Sequence, residues 1–294
     1  MDITQQIVNA IWLGSVYSLF ALGYALVFSV LGLLNLAHSA NFMWGAYIGL
    51  FFVLQMGFPV LLAAPLAIIG GGVIGILLDR VAFAPLRRRN APRIAQLISS
   101  IGAATFMVAL AQIAFSAQPQ NFPLDQIPNQ TIEGLPFRIT PVQVIIFAAA
   151  LLLMAFLHIL VMRTKQGQAM RTVAFDERIA ALLGVPVDAI FRLTFFLAGA
   201  MAGAAGMLYG LAYNSITPFM GSAVALKGLT VIVLGGLGSI EGAVLGGFVV
   251  AGLEVFSIAL GGSDFRDAII FLLLFIVLVV RPQGLLGEAS TERA

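Results

Sequence analysis

Long apolar stretches separated by short polar segments run along the whole chain. Each stretch is close to the length of about 20 residues that crosses a bilayer as a helix. None alternates between apolar and polar residues at every second position, as the strands of a membrane barrel do. The pattern therefore predicts an all-α, polytopic bundle of eight or nine transmembrane helices, formed by a single domain over residues 1–294. The stretches are residues 7–31, 36–55, 59–79, 94–116, 141–162, 191–213, 222–238, 242–260 and 267–280.

Two features leave the number of spans open between nine and eight. Residues 7–31 and 36–55 run almost together, as expected if one of them is broken or re-entrant. Residues 222–238 form a short stretch that contains Lys227, so it either spans the membrane or re-enters it.

The composition agrees with a membrane protein and excludes several other classes. Charged residues make up 10% of the chain and hydrophobic residues 61%, whereas soluble domains contain about 25% charged residues. The chain has no cysteine, which excludes disulfides, thiolate metal sites and a cysteine nucleophile. A net charge of +2 gives no basis for binding nucleic acid.

The positions of the basic residues predict the orientation of the bundle. With nine spans that start outside, 12 of the 15 Lys and Arg residues fall on one side of the membrane. Cytoplasmic loops carry the excess of Lys and Arg. We therefore expect the N-terminus outside and the C-terminus in the cytoplasm.

The densest charge lies in the predicted cytoplasmic segment 163–192. A helix over about residues 173–183 would be ended by Gly184 as a C-cap, and Pro186 would prevent its continuation. Its apolar residues (Phe175, Ile179, Leu182 and Leu183) would lie on one arc and its small residues (Ala180 and Ala181) on the other, beside Glu177. Such a helix fits a groove of a partner protein or the surface of the bilayer, and the residues alone favour neither.

A polar break interrupts the apolar pattern at Leu33–Tyr47. At 100° per residue, Asn35, His38, Asn41 and Phe42 fall within one sector of about 120° if the segment is helical. Polar side chains at membrane depth either line a pathway or form hydrogen bonds between helices. Both interpretations stand at this point, and with so few histidines His38 predicts no metal site.

Small residues recur at the spacing that lets membrane helices pack closely. Residues four apart lie on one face, and small side chains there allow two backbones to approach. The glycine-rich run after residue 234 lacks the lysine and the spacing of a phosphate-binding loop, so we predict packing and no nucleotide site. The packing residues are Gly199, Gly203, Gly206, Gly235, Gly236, Gly238, Gly242 and Gly246.

Two charged residues lie within apolar stretches, Lys227 and Glu254. Each could serve in coupling, or the two could pair with each other. No triad, metal cluster or acid–base pair accompanies them, so the sequence predicts no catalytic site.

Three ordered motifs resemble those of branched-chain amino acid (LIV-type) ABC transporter permeases. The run GLLNLAHSANFMWGAY is similar to the family's first motif. The family's cytoplasmic coupling segment and the helix after it resemble the run AFDERIAALLGVPVDAIFRLTFFLAGAMAGAAGMLYG. The family's C-terminal glycine-rich motif resembles the run GGLGSIEGAVLGGFVVAGLE. The motifs cover residues 32–254, and the chain length favours the H-type over the longer M-type permease.

The resemblance implies a subunit of an importer in the bacterial inner membrane. Its expected partners are an M-type permease, two cytoplasmic ATP-binding subunits, an external solute-binding protein and membrane lipid. This chain would need no cofactor of its own, because its partners would use the ATP. The side chains expected to line the substrate path are those of Asn35, His38, Asn41 and Phe42. The residues expected to couple to the ATPases are Arg171, Asp176, Glu177, Ala180, Ala181 and Gly184.

The chain departs from the family pattern at two places. Ser39 and Ala40 stand where glycine and an acidic residue are usual, and Glu241 stands where proline is common. Because relatives import urea and short amides as well, these departures keep such substrates as an alternative to hydrophobic amino acids. The second class of function is a secondary carrier or channel. It would work without ATPases and use His38 or Glu254 as a proton site.

Overall fold

A computed structural model describes residues 3–123 and 138–287, and these residues form a bundle of helices. Within the described ranges, the extended pairing is limited to an isolated bridge between Gln120 and Ile216. The prediction of an all-α fold is thus confirmed. The helices are α1 Ile3–Leu31, α2 His38–Leu54, α3 Val60–Leu78, α4 Ala84–Arg88, α5 Arg93–Phe115, α6 Pro141–Arg163, α7 Lys165–Phe175, α8 Glu177–Leu182, α9 Val187–Tyr213, α10 Met220–Gly235, α11 Ile240–Ala259 and α12 Arg266–Val280, with a π-helical turn at Asp79–Phe83 and a 3-10 turn at Ser263–Phe265.

Every predicted apolar stretch overlaps one of these helices, but the helices differ in length. Among the described residues, six are long and apolar enough to cross a membrane: α1, the continuous run Val60–Arg88, α5, α6, α9 and α11. The remaining three, α2, α10 and α12, have 17, 16 and 15 residues. The total of eight or nine spans therefore stays a prediction.

The helices α1 and α9 form the centre of the bundle. Both are buried over most of their length, whereas α5 and α6 expose most of theirs. α9 packs against α3, α2 and α1, and α1 packs against α11 on its other side. These two helices thus hold the bundle together, and the exposed apolar faces around them suit contact with lipid.

Small residues explain how α9 can occupy the centre. A Cβ atom on Gly203 would lie 2.7 Å from the carbonyl oxygen of Ala67 on α3, and one on Gly206 would overlap that of Phe42 on α2. Gly199 faces the carbonyl of Gly71 in the same way. Backbone therefore meets backbone along α9, which is the close approach that stabilises membrane helices.

The glycine-rich run near α10 and α11 serves two purposes. Gly235 on α10 faces Gly242 on α11, and Gly246 faces the carbonyl of Val231, so these residues lie between the helices. Gly236 and Gly238 do not, and their prediction as helix-packing residues was wrong. They form the turn between the helices with φ of 111° and 86°, a backbone conformation that favours glycine.

Replacement of Gly206 by alanine is expected to lower the thermal stability of the purified chain. The added methyl group would meet the backbone of α2, and overpacking of this kind costs about 1–3 kcal/mol. Gly102 on α5 is the matched control, because a Cβ there meets nothing within 4 Å. Gly102→Ala should leave the melting temperature equal or higher, since alanine favours a helix over glycine by up to about 1 kcal/mol. Equal melting temperatures for both variants would contradict the proposed packing.

Candidate functional site

The polar residues of the first motif are buried inside the bundle. Asn35, His38 and Asn41 are each at most 3% exposed. The helical-wheel prediction for Asn35 was wrong, because the chain is not helical until His38, the first residue of α2. Asn35 lies in the preceding turn, where its side-chain oxygen accepts a hydrogen bond from the amide of Ala37 at 3.1 Å.

His38 and Asn41 connect α2 to its neighbours. The Nε2 of His38 donates to the carbonyl of Phe20 on α1 at 3.0 Å, and the side-chain amide of Asn41 donates to the carbonyl of Gly71 on α3 at 3.1 Å. Phe42 packs edge-on against Phe20 with ring centroids 5.3 Å apart. In this conformation the motif makes contacts between helices, and its role in a path stays a prediction.

Some buried polar atoms near this motif have no protein partner. Within the described part of the chain, the side-chain oxygen of Asn41 and the hydroxyls of Tyr24 and Tyr47 accept or donate no hydrogen bond. An unsatisfied buried polar group costs about 1–3 kcal/mol. In this conformation these atoms are buried, so a polar solute would reach them only if the surrounding helices moved.

The two charges inside apolar stretches form a pair. Lys227 on α10 forms an ion pair with Glu254 on α11, and the Tyr17 hydroxyl on α1 donates to the other carboxylate oxygen at 2.8 Å. Lys227 also donates to Tyr17 at 3.3 Å and lies 4.0 Å from Asp267 on α12. Sequence reasoning left pairing as one of two interpretations and did not find Tyr17 or Asp267.

The segment 163–192, predicted to be cytoplasmic, contains two helices, α7 and α8, where a single helix over about residues 173–183 was expected. The break lies at Asp176, whose backbone is extended. Its carboxylate caps α8 by accepting hydrogen bonds from the amides of Arg178 at 2.8 Å and Ile179 at 2.9 Å. Aspartate favours this cap position because it satisfies amides that have no partner in the helix.

The end of α8 is close to the prediction. Gly184 follows the helix with φ of 81°, and the amide of Val185 donates to the carbonyl of Ala180 at 3.0 Å. A glycine in this left-handed conformation is a common helix terminus. After Pro186 the chain enters α9 directly, so α8 is connected to the central helix by a turn of four residues.

The two small residues of α8 point in different directions. Ala180 is fully buried in the chain's own core, whereas Ala181 is exposed. The predicted small-residue face is therefore reduced to Ala181, with Glu177 nearby and exposed. The exposed apolar side chains Leu182 and Leu183, 87% and 71% accessible, provide a second surface.

A groove of about 680 Å³ runs beside Ala181, on the side of the bundle predicted to face the cytoplasm. Charged side chains of both signs border it, namely Glu177, Arg178, Asp188 and Arg192. Arg171 lies elsewhere on the segment and donates to the carbonyl of Val161, which ties α7 to the end of α6. The groove is thus a concave, charged surface next to the start of α9.

A second contact on the side predicted to be cytoplasmic was missed by sequence reasoning. Arg87 on α4 pairs with the buried Asp79 at 2.6 Å and lies over the ring of Phe191 at 4.5 Å. This contact attaches the C-terminal end of the α3–α4 run to α9. In the sequence, only the spacing of eight residues between Asp79 and Arg87 could have suggested this ion pair.

Among the described residues, no group of three or more His, Cys, Asp or Glu side chains could hold a metal ion. Long apolar helices that enclose a few polar and charged groups define a multi-pass membrane protein.

Residues 6–278 match the family described as the branched-chain amino acid transport system permease component. The chain is 35% identical to the high-affinity branched-chain amino acid transport system permease protein LivH of Salmonella typhimurium, and 34% identical to BraD of Pseudomonas aeruginosa, across 98% of this chain and 97% of each relative. It is 25% identical to LivM of Salmonella typhimurium over 95% of this chain and 72% of that protein. The chain belongs to the family of branched-chain amino acid transport permeases.

Proposed function

We propose that this chain is the H-type permease subunit of an ABC importer for branched-chain and other hydrophobic amino acids. The observation that carries the proposal is the match over almost the entire length to LivH and BraD, both described as branched-chain amino acid permeases. In this role the chain forms part of the path through the membrane and hydrolyses nothing itself.

The importer would contain four kinds of partner contact. Similarity to both LivH and LivM supports pairing with a second, M-type permease. Two ATP-binding subunits would supply the energy from the cytoplasm, an external solute-binding protein would deliver the amino acid, and lipid would surround the exposed apolar faces.

The surface around α8 is the proposed docking site for an ATP-binding subunit. Three observations support it: Ala181 is exposed, the adjacent groove is concave and charged, and Gly184 and Pro186 connect α8 closely to α9. A displacement of α8 would then be passed to the centre of the bundle, because packed helices move as rigid bodies. Asp176 and Arg171 would hold α8 and α7 in place, and Ala180 would act by packing.

The path would pass the first motif. His38 and Asn41 lie where α2 meets α1 and α3, and the unpartnered oxygen of Asn41 can accept a hydrogen bond from a polar solute. Movement between these helices would expose Asn35 and Phe42 as well.

Purified proteins test whether ATP is hydrolysed by the partner subunits and not by this chain. The isolated chain in lipid should hydrolyse no ATP, and the complex with its ATP-binding subunits should hydrolyse ATP faster when the leucine-loaded binding protein is added. ATP hydrolysis by the isolated chain would contradict the proposal. So would a complex whose rate of ATP hydrolysis does not rise when the loaded binding protein is added.

The predicted orientation has its own test. Ser263 precedes α12 and Gln168 lies on α7, and both side chains are exposed. In this cysteine-free chain, Ser263→Cys should react with an impermeant thiol reagent in intact cells, and Gln168→Cys only after the membrane is opened. Labelling of both from one side would overturn the orientation with the N-terminus outside.

A further inference from the structure

A cluster of four charged or hydroxyl side chains joins four helices of the bundle. Lys227 on α10 contacts Glu254 on α11, Tyr17 on α1 and Asp267 on α12. The side chains of Lys227 and Glu254 are only 13% and 6% exposed. The cluster therefore brings one cation and two carboxylates together within an apolar bundle.

Stability alone does not explain this cluster. Charged residues inside a membrane are costly and mark functional positions, and a buried ion pair contributes no more stability than a well-packed apolar pair. The helices α10 and α11 already meet through the backbones of Gly235, Gly242 and Gly246. The pair is thus not needed to bring the two helices together.

The cluster opens to the surface on one side. Asp267 is 56% exposed, and Arg266 beside it is 45% exposed. Both begin α12 directly after the turn Ser263–Phe265, on the side predicted to face outward. A small solute from that side would meet Asp267 first and Lys227 behind it.

An aromatic side chain with a polar group, Tyr17, lies against the buried end of the cluster. The Lys227 ammonium lies 5.7 Å from the centre of the Tyr17 ring, and the hydroxyl of the same tyrosine donates to Glu254 at 2.8 Å. An aromatic face and carboxylates together suit an ammonium group, and a lysine suits a carboxylate.

We propose that this cluster is a transient binding site for the α-ammonium and α-carboxylate groups of an amino acid in transit. The solute carboxylate replaces Glu254 at Lys227, and the solute ammonium is bound by Glu254 and Asp267. Lys227, Glu254 and both solute charges then each face an opposite charge, so no buried charge is left alone. This inference rests on the proposed function and adds that the chain itself recognises a zwitterion.

The paired substitution Lys227→Met with Glu254→Leu separates this role from a structural one. It removes both charges together, so that neither is left buried without a partner. Leucine binding to the purified permease complex, without binding protein, is measured by saturation-transfer NMR beside leucinamide, which lacks the carboxylate, and 4-methylpentanoate, which lacks the ammonium. The wild type should prefer leucine, and the paired variant should bind leucine at least tenfold more weakly with no preference.

A second variant keeps the test decisive if the paired variant fails to assemble. Asp267→Asn changes an exposed side chain, so folding should persist, and it should weaken leucine binding several-fold while 4-methylpentanoate binding stays the same. The control is the exposed pair between His158 and Glu241, 3.5 Å apart on α6 and α11; with both changed to glutamine, leucine binding should not change.

Two results would overturn the site. One is an assembled paired variant that binds and takes up leucine as well as the wild type does. The cluster would then be only a structural link between helices. The other is unchanged leucine binding in Asp267→Asn. If instead the wild-type importer carried no leucine at all, the proposed function would fail, and the two failures are therefore distinguishable.

Discussion

Replacement of Ala181 by tryptophan is expected to abolish ATP-driven uptake while the chain stays folded in the membrane. Ala181 is exposed on α8 beside the charged groove. A bulky indole there would hold a docked ATP-binding subunit away from the groove and from the turn that leads into α9. We expect ATPase affinity to fall at least tenfold, which corresponds to about 1.4 kcal/mol.

Ala181 is a better test position than Gly184. The backbone of Gly184 has φ of 81°, so any larger residue there would strain the turn itself and confuse misfolding with lost docking. Ala155→Trp on the exposed face of α6 is the matched control, since it adds the same ring to a surface suited to lipid. It should leave both uptake and ATPase binding intact.

The opposite outcome has a clear meaning. If α8 rests on the bilayer, a tryptophan on it would favour the interface, and Ala181→Trp would retain both uptake and ATPase binding. Co-purification of the ATP-binding subunits with the variant, together with uptake, separates these outcomes.

Alanine at Asn41 is expected to reduce uptake at least tenfold without preventing assembly. The substitution removes the oxygen that has no partner and the hydrogen bond to Gly71. Hydrogen bonds between membrane helices contribute only about 0.6 kcal/mol on average, so the loss of one should leave the bundle intact. Asn35→Ala and His38→Ala should also lower uptake, because their side chains lie in the same buried region.

Thr194→Ala provides the control for this experiment. Thr194 is a buried polar residue on α9, but its hydroxyl bonds within its own helix, to the carbonyl of Ile190 at 2.8 Å. Its loss should not affect uptake. If all three variants of the first motif transport normally, or lose uptake only because the complex fails to assemble, these residues merely connect helices.

The apolar pattern was sufficient to locate the helices but not to arrange them. α1 and α6 are both long and apolar, yet α1 lies at the centre and α6 at the edge. In lipid, apolar residues do not distinguish inside from outside, so small residues and polar contacts decide which helices pack together. The small residues Gly199, Gly203 and Gly206 of α9 are visible in the sequence, and they made the close packing of this helix predictable.

The local structure of the sites was partly predictable. Gly184 indicated the end of α8 correctly, and Asp176 carried an N-cap signal that was overlooked when a single helix over residues 173–183 was predicted. The contacts of Lys227 with Tyr17 and Asp267 depend on tertiary packing between residues far apart in the chain. No local pattern encodes such contacts.

Uptake by the complete importer in proteoliposomes tests the function most directly. This chain is reconstituted with an M-type permease and two ATP-binding subunits, with ATP inside and binding protein outside. We predict uptake of radiolabelled leucine that requires both ATP and this chain, and no uptake of urea or acetamide. Leucine uptake that persists without ATP or ATP-binding subunits, or ATP-driven uptake of urea in place of leucine, would contradict its assignment as an ABC permease for hydrophobic amino acids.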